Sequence, residues 1–91
     1  MEVEKLEYVK KMIAEANLGR ALSILLELKS SKHDDIVLLS SRYHYFKEKV
    51  NGGTLLLNEE TSEFAKISKS IISMTSQIEY EYKNIKIISI H

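Results

Sequence analysis

Phe64, Ile67, Ile71, Met74 and Ile78 recur at spacings of three, four, three and four, and no proline interrupts that run or any other part of the chain. A 3.5-residue apolar repeat cannot alternate across a strand. It lays one stripe along a helix and suits packing at a shallow angle on a neighbouring helix. Zero proline and three glycines in 91 residues also leave too few turn formers for a sandwich of short strands. The constraint is therefore an all-α fold of a few helices with short links.

Four segments carry helical spacing. The first spans residues 2–16, with Val3, Leu6, Val9, Ile13 and Ala16 as its stripe, and Asn17-Leu18-Gly19 reads as its stop. The second spans residues 20–29. Ala21, Leu22, Ile24, Leu25, Leu26 and Leu28 leave it few polar positions, so it should be the most buried helix or one that meets a partner. Ser31-Lys32-His33-Asp34 has the form of a capping box before a third helix that runs to Val50 on Ile36, Leu39, Tyr43, Phe46 and Val50. Asn51-Gly52-Gly53 ends it. Asn58 is the expected cap of the fourth helix, with Glu59 and Glu60 in its first turn. That helix is expected to reach Tyr82. The isoleucines 85, 87 and 90 fit a strand as well as a helix.

The expected architecture is a four-helix antiparallel bundle with the second helix central, a single domain over residues 1–82 and a C-terminal tail over 83–91. Its core should hold Leu6, Val9, Ile13, Leu22, Leu25, Leu26, Leu39, Tyr43, Phe46, Phe64, Ile67, Ile71, Met74 and Ile78. The apolar ending Ile-Ser-Ile-His fits an ordered C-terminus or a piece of a longer chain.

Composition narrows the function classes. Without cysteine there is no disulfide framework, zinc ribbon or thiol chemistry. Thirteen basic and thirteen acidic residues remove the bulk attraction on which nucleic-acid binders rely, so a nucleic-acid partner is disfavoured. A small regulator using Lys5, Lys10 and Lys11 of the first helix is the alternative. No apolar run has the roughly 18–20 residues of a membrane helix, so no membrane partner is expected. The polar start Met1-Glu2-Val3-Glu4-Lys5 is unlike a secretory signal, and a cytoplasmic domain is the expectation.

No catalytic, cofactor or metal set assembles from the spacing. Adjacent His33, Asp34 and Asp35 point about 100° apart on a helix and cannot close on one ion by themselves. His44 has Ser40 one turn before it, but no orienting third group. Neither Arg20 nor Arg42 has a histidine at the Arg-x4-6-His spacing of helical ribonucleases, and Gly52-Gly53 lacks the Lys-Ser/Thr end of a phosphate loop. One surface is unusual instead: Ser68, Ser70, Ser73, Thr75 and Ser76 take the non-stripe positions of the fourth helix, with no charge between Lys69 and Glu79. Such a face can be covered by another protein at little desolvation cost. The candidate interface residues are Arg20, Glu27, Arg42, Ser70, Ser73 and Ser76.

Three stretches resemble a known family. Ile13–Leu22 has its opening of helix, small break and leucine-rich helix. Val37-Leu38-Leu39-Ser40-Ser41-Arg42-Tyr43 resembles its most recognisable run. Gly53-Thr54-Leu55, then Asn58-Glu59 and a long helix with Ile71-Ile72, completes the order. The resemblance covers residues 10–80 and is to effector-associated domain family eleven, small helical modules of bacterial conflict systems. Leu56 departs from it, standing where the family often has a capping Ser or Asp. The resemblance implies a non-enzymatic adaptor, like the death-fold modules in role. One copy sits on a nucleotide-dependent sensor and another on an effector, and like-domain contacts couple the two in bacterial, anti-phage defence signalling. Homo-oligomers are a possible form of the same contact. The family supplies no catalytic residues to carry over.

Overall fold

A computed structural model describes the backbone of residues 2–90 and the side chains of residues 3–84. It contains α1 (Glu2–Ala14), α2 (Leu18–Glu27), α3 (His33–Asn51) and α4 (Leu57–Ile90), with no strand among the described residues. Consecutive helices run antiparallel. Lys10 of α1 meets Glu79 of α4, Gly19 of α2 meets Tyr43 of α3, and Arg42 of α3 meets Glu63 of α4. α2 packs on all three others, while the backbones of α1 and α3 do not approach one another closely among the described residues. The bundle is all-α with α2 central, as its leucine content required.

The core is built from one stripe of each helix. Leu6, Val9 and Met12 come from α1; Leu18, Ala21, Leu22, Ile24 and Leu25 from α2, with Leu28 just beyond it; Ile36, Leu39 and Phe46 from α3; Ile67, Ile71 and Ile78 from α4. Ile13, Leu26, Tyr43, Phe64 and Met74 are half-buried at its margin rather than inside it. The α1 stripe is shorter than its spacing suggested. Val3 and Ala16 are exposed and Met12 is inside, because the helix ends at Ala14 and turns its 6–9–12 edge inward.

The link after α1 differs from the expected Asn-Leu-Gly stop. Ala16 adopts the left-handed conformation at φ 60°. Its N–H reaches the Ile13 carbonyl (2.9 Å) and that of Asn17 reaches Met12 (2.8 Å), the paired bonds of a Schellman cap. Asn17 begins the next helix instead, its side-chain oxygen accepting the Arg20 N–H at 3.3 Å. Gly19 lies inside α2. A Cβ there would sit 3.4 Å from Cε2 of Tyr43, so its smallness serves packing rather than a turn. The same cap recurs after α3, where Gly53 holds φ 67° and the Gly53 and Thr54 N–H groups bond Val50 and Lys49. A left-handed alanine costs about 1–2 kcal/mol that glycine does not. Ala16→Gly should therefore raise stability by about 1 kcal/mol in urea unfolding, after the greater freedom of glycine in the unfolded chain is set against it.

Two caps form differently from the local expectation. Ser31 is not the cap of α3: Lys32 takes that position without a side-chain bond. The Ser31 hydroxyl and N–H are instead given to the Glu81 carboxylate, at 2.9 and 3.1 Å. Asp34 and Asp35 do stand in the first turn of α3. α4 starts at Leu57, so Asn58 lies inside its first turn, where its side-chain oxygen accepts the Glu59 N–H at 3.0 Å, while the Glu59 carboxylate accepts the Leu56 N–H at 3.0 Å.

α4 continues as helix past Tyr82 to Ile90, where a tail of open conformation was expected. Tyr82 donates its hydroxyl to the Lys29 carbonyl (2.9 Å), fixing α4 to the end of α2. The antiparallel course of α1 brings its first turns level with α4 beyond Glu79. The side chains of Ile85, Ile87 and Ile90 lie outside the described residues. At 34 residues α4 is about 51 Å long. That is nearly the full 54 Å extent of the molecule.

Candidate protein interface

The outward side of α4 changes character along its length. Lys66 and Lys69 mark its first half. From Ile72 onward the exposed positions are Ile72, Ser73, Ser76, Gln77 and Tyr80, and no charge returns to an exposed position until Lys83. Ile72 is 49% exposed and Tyr80 67%, both large for residues facing water. The two acids in this stretch are committed elsewhere, Glu79 to Lys10 and Glu81 to Ser31. Thr75 does not belong to this surface. It is 3% exposed, lies between Ile71 and Ile78 on the inner side, and donates its hydroxyl to the Ile71 carbonyl at 2.8 Å. Ser68 is half-buried and bonds Phe64 in the same way.

Beside this stretch runs a shallow groove between α1 and α4, lined by Lys10, Ile13, Ala14, Ile72, Thr75 and Ser76. Its walls are mainly apolar and its one cation is held at the edge. Lys10 binds Glu79 at 2.6 Å and Glu7 at 3.5 Å. The hydrogen bond to Glu79 raises the Lys10 ammonium above its ordinary range, and the same bond lowers the Glu79 carboxyl below its own.

The candidate residues do not form one patch. Ser73 and Ser76 share the exposed α4 surface, and Ser70 is half-buried. Arg20 and Glu27 line a separate recess between α1 and α2, together with Glu4, Lys5, Tyr8 and Ile24. Arg42 lines a third, larger groove between α3 and α4, bound to Glu63 at 2.7 Å. Sequence reasoning missed Ile72 and Tyr80, which stand out only once the inner side of α4 is known. It also missed Tyr45 and Lys49, although Leu38, Arg42, Tyr45 and Lys49 recur at four, three and four residues along α3.

The residues weighed for chemistry are dispersed. His33 and His44 are exposed. His44 has only an edge contact with the neighbouring Tyr43 ring, at 6.0 Å between centroids. Among the described residues no group of three or more His, Asp or Glu could hold a metal ion. The same residues contain no helix long and apolar enough to cross a membrane. Lys10 is already bound to Glu79, which weakens a basic patch on α1.

Comparison with family models matches the chain to effector-associated domain 11 over residues 4–79. The chain belongs to this family. No curated protein and no solved structure matches significantly. The effector-associated domain 11 match spans α1 from its third residue, all of α2 and α3 and most of α4, so it takes in the uncharged surface almost to Tyr80. Membership fits an adaptor role in effector systems.

Proposed function

We propose that this effector-associated domain is a non-enzymatic adaptor. It binds a like domain on an effector or on a nucleotide-dependent sensor, and so couples the two in bacterial defence signalling. The observation that carries this reading is the run Ile72, Ser73, Ser76, Gln77 and Tyr80, an exposed helix surface without charge in a family of effector-associated modules. Charged groups are depleted at the centre of interfaces because covering them removes their hydration. A tyrosine there supplies large contact area with a polar tip that can stay wet or find a partner. The neighbouring α1–α4 groove extends the same surface by its apolar walls.

The contact places a partner's helix along this half of α4, with Ile72 and Tyr80 as anchors and the serines as the close-approach positions. Ser73→Arg combined with Ser76→Arg buries two unpaired cations there. The double variant should lower affinity for a like domain at least about tenfold, while circular dichroism shows unchanged helicity. Light scattering and pull-down with like domains of sensor and effector proteins measure it. A chain that captures no like domain at high concentration, or a double variant that captures as well as the parent, overturns the reading.

A further inference from the structure

The groove between α3 and α4 is separate from the serine surface and differs from it in every respect. It measures about 640 Å³, and its floor is Phe46 and Leu55. Its α3 wall carries cations, Arg42 and Lys49, on either side of Tyr45. Its α4 wall carries two anions, Glu59 and Glu63, and a cation, Lys66, about one turn beyond Glu63. Apolar side chains surround it. Leu38 is 70% exposed and Tyr45 60%, and Leu56 and Leu57, next to the lining residues Leu55 and Asn58, are exposed as well.

The two walls are complementary to each other. Within the chain this shows as the Arg42–Glu63 pair at 2.7 Å, while Lys49 lies over the Tyr45 ring at 4.4 Å. A wall with two cations beside a wall with two acids at the same levels is also complementary to its own copy. When a twofold axis runs along the groove, rotation lays the α4 of a second molecule over α3 of the first and the reverse. Arg42 then faces the Glu63 of the other copy. Lys49 is about 10 Å further along α3, and Glu59 about 6 Å further along α4 in the same direction, so long side chains bring these two together as well. Each ion pair occurs twice, as an isologous contact requires. Lys66, one turn beyond Glu63, comes level with Leu38, whose exposed side chain its methylene stem can cover. The ring of Tyr45 is left at the centre of the contact.

We infer that the α3–α4 groove is the self-association surface of this chain, joining two copies about a twofold axis through Arg42–Glu63 and Lys49–Glu59 pairs around Tyr45. The inference rests on the adaptor reading for why the module associates at all, but it concerns a second copy rather than another protein.

The test uses the purified chain and analytical ultracentrifugation. The parent chain should show a concentration-dependent monomer–dimer equilibrium. Arg42→Glu with Lys49→Glu places acid against acid, and Glu59→Lys with Glu63→Lys places base against base. Each set alone should weaken dimerisation at least tenfold. An equal mixture of the two sets restores both kinds of pair across the axis, though not the Arg42–Glu63 pair within each chain, and should dimerise at least tenfold more tightly than either set alone. A parent chain that stays monomeric, reversed sets that dimerise unchanged, or a mixture that stays monomeric each overturns the inference. Circular dichroism monitors the fold. Should a reversed set lose helicity, Arg42→Gln with Lys49→Gln takes its place; weaker self-association then supports the inference and unchanged self-association overturns it. Because the readout needs no other protein, its failure leaves the serine-surface contact standing, and loss of that contact in the Ser73 and Ser76 variants leaves this one standing.

Discussion

Leu25→Ala should lower the stability of this domain by about 2–5 kcal/mol, the cost of removing a buried leucine and leaving a cavity. Leu25 is 0% exposed and belongs to α2, the helix that touches all three others, so the surroundings cannot collapse around the loss from one side. In a domain of this size each kcal/mol moves the thermal midpoint by roughly 4–8 °C, so the midpoint should fall by about 10 °C or more. Against a typical total of about 5–15 kcal/mol, that is a substantial share. Val3→Ala is the control. That valine is apolar too but 62% exposed, and its loss should change stability by no more than about 0.5 kcal/mol. Equal effects at the two sites, measured by thermal unfolding, would show the helices to be rotated from the positions described.

Gly19→Leu should be destabilising by about 1–3 kcal/mol, although it replaces glycine inside a helix by a good helix former. The Tyr43 ring occupies the place where the new side chain must go, with Cε2 at 3.4 Å and the hydroxyl oxygen at 3.6 Å from a Cβ at that position. The ring, being half-buried, would have to swing outward and would lose its contact with the core margin. Gly19→Ala has the opposite sign, since a bare Cβ fits at ordinary contact distance and recovers part of the roughly 1 kcal/mol that glycine costs a helix. Adding Tyr43→Ala to Gly19→Leu should recover most of the leucine penalty, and a double-mutant cycle in urea measures that coupling. Additive effects would place the ring elsewhere.

These two sites also show what the amino-acid order does and does not reveal. The apolar repeat of α4 and the leucine density of α2 follow from burial, which acts on every turn of a helix, so periodicity alone identified Ile67, Ile71, Ile78 and the central helix. Gly19 was read as a stop because glycine usually is one; its reason is a ring on another helix, twenty-four residues away. Ala16 takes the turn instead because a Schellman cap is made by main-chain groups, which any residue possesses. Ser31 has the spacing of a cap, but a carboxylate fifty residues later competes for the same donors and wins. Thr75 could have been placed correctly, since a position four residues after Ile71 and three before Ile78 must point inward. The candidate interface was legible only as an absence of charge. Its anchors, Ile72 and Tyr80, were hidden because an apolar residue in a helix reads as core until the inner side is fixed. Arg20 and Arg42 were joined to it by residue type, and the fold sets them on different sides.

α4 extends nearly from one end of the molecule to the other, and both the groove acids and the uncharged stretch are on it. From Glu63 to Ser73 is ten residues, about 15 Å of axial travel and close to three-quarters of a turn beyond two full ones. Inserting or deleting one residue between them would swing Ile71, Thr75 and Ile78 out of the interior by about 100°. The bearing of one contact relative to the other is thus welded to the packing of the interior. Substitutions can retune either contact, but the angle at which two bound molecules leave this rod stays constant, so any assembly using both inherits a fixed pitch.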